Sequence, residues 1–127
     1  MTAKKIPDWK QGPPIVDPDA GKAKIEAEGS CRLCRRIRLP RWLGGNPFDC
    51  LERHHLVPRG TGKTIGGDDL DENLIPLCTR CHRAVEDRER WARMAVRANL
   101  QHDEEDYVIR KKGKWWLDKN YPATGAP

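Results

Sequence analysis

Two cysteine pairs, Cys31-x-x-Cys34 and Cys78-x-x-Cys81, enclose an adjacent His54-His55, a single Asn73, and a His82 fused to the second pair. Thiolates two residues apart on a short loop can face one ion, so the four sulfurs suit a closed tetrahedral zinc site whose role is structural. The histidines are then left for chemistry. Hydrolysis of a phosphodiester needs an attacking water on one side of phosphorus and a departing oxygen roughly opposite, so base and metal must address different sides. Neighbouring side chains on a strand point to opposite faces, and adjacent histidines at a strand end can divide those duties. Imidazole accepts a proton near neutral pH, and two imidazole ligands leave coordination positions open for water and phosphate.

Blander readings stand beside this one. The histidine pair could be surface residues or ligands of a purely structural site. A dithiol redox fold would carry one cysteine pair beside a βαβ unit, which is absent. A zinc deaminase would need a glutamate two residues after its histidine and an unbroken Pro-Cys-x-x-Cys. Neither His54 nor His55 has that glutamate, and Leu77 separates Pro76 from Cys78. Asp68, Asp69, Asp71 and Glu72 follow two glycines and read as a solvated turn rather than as metal ligands. Glu86, one helical turn beyond His82, could reach an ion. His102 reads as a solvated residue, and Cys50, the odd fifth cysteine, as a buried free thiol.

The elements that must position these groups are short. Four prolines between Pro7 and Pro18 imply an extended or disordered arm over residues 1–20. A helix is expected from Ala20 to Glu28, closed by Gly29, and a turn at Gly44-Gly45-Asn46. Phe48 to Val57 reads as extended until Pro58, and Gly60, Gly62, Gly66 and Gly67 mark a loop carrying Arg59 and Lys63. His82 to about Leu100 lacks Gly and Pro and reads as one helix. Asp103 is a candidate cap for a further helix, Glu104 to Lys112, stopped by Gly113, with Trp115, Trp116, Leu117 and Tyr121 as its aromatic support.

With 37% hydrophobic and 34% charged residues in a chain of 127, the core is small, and a bound zinc ion would add about 10 kcal/mol or more to folding. The residues Met1 to Asp8 lack a secretory core, no run of 18 apolar residues occurs, and paired cysteines suit a reducing compartment. A cytoplasmic location without membrane spans is therefore expected. The net charge of +5 is uneven: residues 64–106 hold eleven acids against six bases, while Arg32, Arg35, Arg36, Arg38 and Arg41 crowd ten residues. That basic run suits a polyanion such as nucleic acid, or else an ordinary solvated face.

Taken in order, Cys31-x-x-Cys34, Glu52-Arg53-His54-His55-Leu56-Val57-Pro58 and Asn73-Leu74-Ile75-Pro76-Leu77-Cys78-x-x-Cys81-His82 resemble the HNH endonucleases, the ββα-metal nucleases, and most closely the small phage-type members with a four-cysteine zinc site. The resemblance covers residues 31 to about 86 and implies an α+β fold with a small zinc-stapled ββα-metal core. Together with the helix signals of the chain itself, the domain is expected over 21–100, after an N-terminal arm over 1–20 and before a C-terminal helical extension over 101–127 that packs on the domain or docks elsewhere. It implies His55 as general base, Asn73 as the residue fixing the loop against the histidine strand, His54 and His82 as ligands of a catalytic divalent cation, and Cys31, Cys34, Cys78 and Cys81 as zinc ligands. Many relatives have Asp at the position of His54, so the ligand field here favours a softer ion. Imidazole suits Zn²⁺, Ni²⁺, Co²⁺ or Mn²⁺ while Mg²⁺ prefers oxygen, and the ion is open among these five. DNA is the implied partner, with Arg59, Lys63, Arg80 and Arg83 on its phosphates, and phage terminase or packaging proteins are a further implied association. A zinc-dependent nucleic-acid-binding module without catalysis is the alternative.

Overall fold

The computed structural model describes residues 14–35, 51–59 and 66–123. The first thirteen residues of the expected arm, Arg36, Arg38, Arg41, the Gly44-Gly45-Asn46 turn, Cys50, Gly60, Gly62 and Lys63 lie outside them.

Helix α1 (Pro18–Glu28) begins where the Asp17 carboxylate accepts the Asp19 N–H at 3.1 Å, with Pro18 already at a helical φ, and ends at Gly29 in left-handed backbone, φ 70°. Its start thus precedes the expected Ala20. The residues before it are held to the domain, because the Ile15 and Asp17 N–H groups donate to the Asp68 and Asp69 carboxylates at 2.7 and 2.9 Å.

Strands β1 (Leu51–His55) and β2 (Leu74–Cys78) pair antiparallel, Leu51 opposite Cys78 and His55 opposite Leu74. β2 is buried throughout, with α1 and α2 (Thr79–Glu86) packed against it. Cys78 both ends the strand and caps the helix, its sulfur accepting the Cys81 N–H at 3.5 Å. The second cysteine pair therefore sits on the joint between sheet and helix, and this two-strand, one-helix unit is the α+β core.

The single helix expected from His82 to Leu100 is two. α2 stops at Glu86, Arg88 turns the chain in left-handed backbone at φ 59°, and α3 (Arg90–Ala98) follows. The break is tertiary in origin. Arg93 Nε donates to the Val85 carbonyl at 3.0 Å, and Ala84, Val85, Ala92 and Val96 all enter one core, which a straight helix could not deliver to a domain this small. α4 (His102–Lys112) is capped through Gln101, whose N–H donates to Glu104 at 2.7 Å, and not by Asp103. After Gly113, α5 (Lys114–Asn120) places Leu117, and Tyr121 just beyond it, in the same core as Val85 and Val96. Trp115 stays outside at 73% exposure and Trp116 is half-buried. Among the described residues no helix is long and apolar enough to cross a membrane.

Arg32, inside the first cysteine pair, does not face a polyanion as its place in the basic run suggested. It is buried, with Nη1 on Glu104 Oε1 at 2.6 Å and Nη2 on Glu28 Oε2 at 2.6 Å. Lys24 reaches the same Glu104 at 3.2 Å. Burial alone would raise the Glu104 carboxyl, but Arg32 and the Gln101 N–H outweigh it and hold the group below its ordinary value. A carboxylate lowered on folding stabilises the native state above its unfolded value, about 4.3, and that contribution is lost as pH falls through the folded value. Glu104→Gln is accordingly expected to cost about 3 kcal/mol at pH 7, because it neutralises the buried carboxylate that Arg32 and Lys24 share and leaves Arg32 with Glu28 and Lys24 with Asp71. Urea unfolding at pH 7 and pH 3 checks this: the difference between variant and wild type shrinks at the lower pH, and an equal difference at both would contradict it.

Candidate active site

His54 and His55 end β1 and, as alternation requires, their rings part. His54 turns inward, 3% exposed, toward α2 and α5. Its Nδ1 lies 3.3 Å from Glu86 Oε1, and the same oxygen lies 3.2 Å from His82 Nε2. One ligand atom from each of His54, His82 and Glu86 falls within 4.8 Å of the others. His82 and Glu86 occupy positions i and i+4 of α2 and so share a face. On the far sides of the rings, Tyr121 Oη lies 2.9 Å from His54 Nε2, and Glu52 Oε1 lies 3.0 Å from His82 Nδ1.

The electrostatics of this group suit a cation. His54 Nδ1 is buried without a hydrogen-bond partner, since Glu86 is close but off the line of a hydrogen bond. An orphaned buried nitrogen costs about 1–3 kcal/mol. Burial pushes the His54 imidazole down, toward the neutral form that offers a lone pair. The contact with His54, backed by His82 and Arg93, holds the Glu86 carboxyl at about 2, so it is an anion at any physiological pH. Two imidazole nitrogens and one carboxylate oxygen form a donor set that a divalent metal fits, with positions to spare.

His55 faces the opposite way. Its Nε2 lies 2.7 Å from Asp69 Oδ1, and the other oxygen of Asp69 takes Arg59 Nη2 at 2.6 Å and the Asp17 N–H at 2.9 Å. Asp69 is buried, yet His55, Arg59 and the Asp17 N–H together outweigh that burial and hold its carboxyl at about 2. The loop that brings Asp69 here is clamped by Asn73. Its Oδ1 accepts the Val57 N–H at 2.8 Å, and its Nδ2 donates to the Val57 and Asp68 carbonyls at 3.1 and 2.9 Å. Gly67 makes the close approach possible, because a Cβ there would collide with the Val57 carbonyl and crowd the Asn73 amide.

The four paired cysteines form a second cluster, their sulfurs within 4.8 Å of one another, with Cys34 Sγ 3.6 Å from Cys78 Sγ. Burial would raise the Cys31 thiol, but backbone hydrogen bonds from Cys78, Cys34 and Leu33 pull it down. Cys81 is pushed up by burial and by the neighbouring sulfurs of Cys78 and Cys31. So close a set cannot ionise fully by itself, whereas a bound cation would compensate all four thiolates.

The description that fits both clusters comes from comparison with known proteins: the family model for HNH endonuclease matches residues 31–88. Over residues 31–88 the chain is therefore similar to the HNH endonucleases. The chain is also 36% identical over 61 residues to the Type IV methyl-directed restriction enzyme EcoKMcrA of Escherichia coli (strain K12). That alignment covers 47% of the chain and 20% of the relative, so the chain spans about a fifth of that enzyme's length. No solved structure matches the chain significantly.

Around the HNH histidines lies a cleft of about 330 Å³ bordered by His54, His55, His82 and Glu86 together with Arg53, Arg59, Arg88, Arg93 and Tyr121. Of the arginines singled out for phosphate, Arg59 borders it, while Arg80 and Arg83 are exposed on α2 without lining it. Arg53, Arg88 and Arg93 reach it without having been singled out. Arg88 does so from the left-handed turn between α2 and α3, which no Gly or Asn signalled. Asp68 and Asp69, which composition assigned to a solvated turn, are both buried, Asp68 on Tyr107 Oη at 2.6 Å and Lys111 Nζ at 3.1 Å. The Gly66-Gly67 pair before them was the available sign that this loop packs closely.

Proposed function

We propose that this chain is a metal-dependent HNH endonuclease hydrolysing phosphodiester bonds of DNA, nicking or cutting both strands with limited sequence preference, with His55 as general base and His54, His82 and Glu86 as ligands of the catalytic divalent cation. The observation that carries this reading is the buried, unpartnered Nδ1 of His54, set within reach of His82 Nε2 and Glu86 in the cleft that His55 also borders.

An ionised Asp69 can only accept, so His55 donates its Nε2–H to it and keeps Nδ1 as the basic atom. The ring is thereby held in one orientation, and Asn73 fixes the strand end that carries it. A divalent cation bound by His54, His82 and Glu86 would stabilise charge on the phosphate and its leaving oxygen. Arg53 and Arg88 are exposed and border the cleft, where they can hold the neighbouring phosphates by charge without reading bases. Zinc suits the four sulfurs of Cys31, Cys34, Cys78 and Cys81, with no position left for substrate. Nothing in the site requires a phage terminase or packaging protein, and DNA is the only partner proposed.

Incubation of supercoiled plasmid with the purified protein and Mg²⁺, Mn²⁺, Co²⁺, Ni²⁺ or Zn²⁺ is expected to give nicked or linear product with at least one ion and none in chelator. Salt-sensitive DNA binding without cleavage under any of these ions would instead favour the non-catalytic module.

A further inference from the structure

Tyr121 follows α5, outside the segment 31–88 that matches the family. It is 1% exposed, and its hydroxyl lies 2.8 Å from the Leu56 carbonyl oxygen and 2.9 Å from His54 Nε2. A phenol has one proton and a carbonyl oxygen can only accept, so that proton goes to Leu56. The contact with His54 must then run the other way, with Nε2–H donating to Tyr121 Oη. With Nε2–H committed to Tyr121, Nδ1 is the nitrogen that faces the space shared with His82 and Glu86.

We propose that Tyr121 is a positioning residue that fixes His54 as its Nε2–H tautomer and so presents Nδ1 to the catalytic cation, making the C-terminal segment a working part of the HNH metal site. This rests on the reading of His54 as a cation ligand. Glu52 acts similarly on the other ring, since a carboxylate 3.0 Å from His82 Nδ1 accepts that N–H and leaves Nε2 free. The two supports differ in rigidity. Glu52 is exposed, whereas the Tyr121 ring is enclosed, with the Arg93 guanidinium 5.0 Å from its centroid and Trp116 at 6.2 Å. An outer partner of this kind orients the ligand and sets which nitrogen is basic, and losing it typically weakens metal binding by about 10- to 100-fold.

The test combines a tautomer measurement with a metal titration. Long-range ¹H–¹⁵N correlation spectra of the wild-type protein, without added divalent ion, are expected to show a proton on His54 Nε2. Tyr121→Phe keeps the ring and removes the acceptor, and its affinity for Mn²⁺, read from the spin-resonance signal of the free ion, is expected to fall roughly 10- to 100-fold. Mn²⁺ favours oxygen and nitrogen over thiolate ligands, so it reports on this site and not on the cysteines. His54→Ala separates the two levels of the idea. If it leaves Mn²⁺ affinity unchanged, the cation site itself is misassigned. If it abolishes binding while Tyr121→Phe keeps wild-type affinity, the positioning role alone is overturned. Should Tyr121→Phe fail to fold, the wild-type spectrum decides: a His54 with its proton on Nδ1 and none on Nε2 overturns the proposal.

Discussion

Replacing His55 with alanine is expected to lower DNA cleavage by about 10²- to 10⁴-fold, the usual contribution of a positioned general base. Cation affinity and fold should survive the change, because His55 points away from the His54, His82 and Glu86 group. Its partner Asp69 keeps the Arg59 guanidinium and the Asp17 N–H when the imidazole is removed, so no buried carboxylate is stranded. The stability cost then stays well inside the 5–15 kcal/mol that small domains possess. Single-turnover plasmid cleavage at saturating Mn²⁺, run beside thermal unfolding, measures both. Cleavage within about threefold of wild type would remove His55 from the role of base. A large loss accompanied by unfolding would mean that the Asp69 contact is chiefly structural.

Cys78→Ser attacks the other cluster, and its effect is expected on folding. Serine retains an oxygen that can cap α2, so the substitution removes a thiolate while sparing the helix start. A structural zinc contributes about 10 kcal/mol or more, as much as the whole net stability of a typical small domain. Apolar burial offers little reserve here, since β2 and the two helices packed on it form a small core in a chain that is 34% charged. The variant is therefore expected to bind less than one equivalent of zinc by elemental analysis and to lose cooperative unfolding followed by circular dichroism. A variant without zinc that still melts cooperatively at the wild-type temperature would show that the sulfur cluster is dispensable for the fold.

Spacing within the chain was enough to propose two metal clusters. Cys-x-x-Cys twice fixes four sulfurs to two short loops, and strand alternation separates the rings of His54 and His55; both follow from local geometry that the sequence dictates. The stop of helix α1 at Gly29 was equally legible, because a left-handed glycine is a local signal, although its start at Pro18 was not. A residue's role is not legible in the sequence where it depends on what lies across the fold. Nothing near Asp69 in the chain indicates that its carboxylate meets His55, and nothing near Arg32 indicates that Glu104 will enclose it. The break at Arg88 had no Gly or Pro to announce it; packing of Val85, Ala92 and Val96 into one core outweighed helix propensity.

By itself, then, the sequence determined which side chains could ligate metal or accept a proton, and which of them share a short loop or a helical turn. Only the tertiary structure decided that Glu86 joins His54 and His82, that Arg53, Arg88 and Arg93 border the same cleft, and that Tyr121 reaches back to His54 from beyond the matched segment. The physical reason is distance along the chain. Hydrogen-bond partners within a few residues are set by backbone geometry, whereas partners separated by tens of residues are selected by which apolar faces bury together.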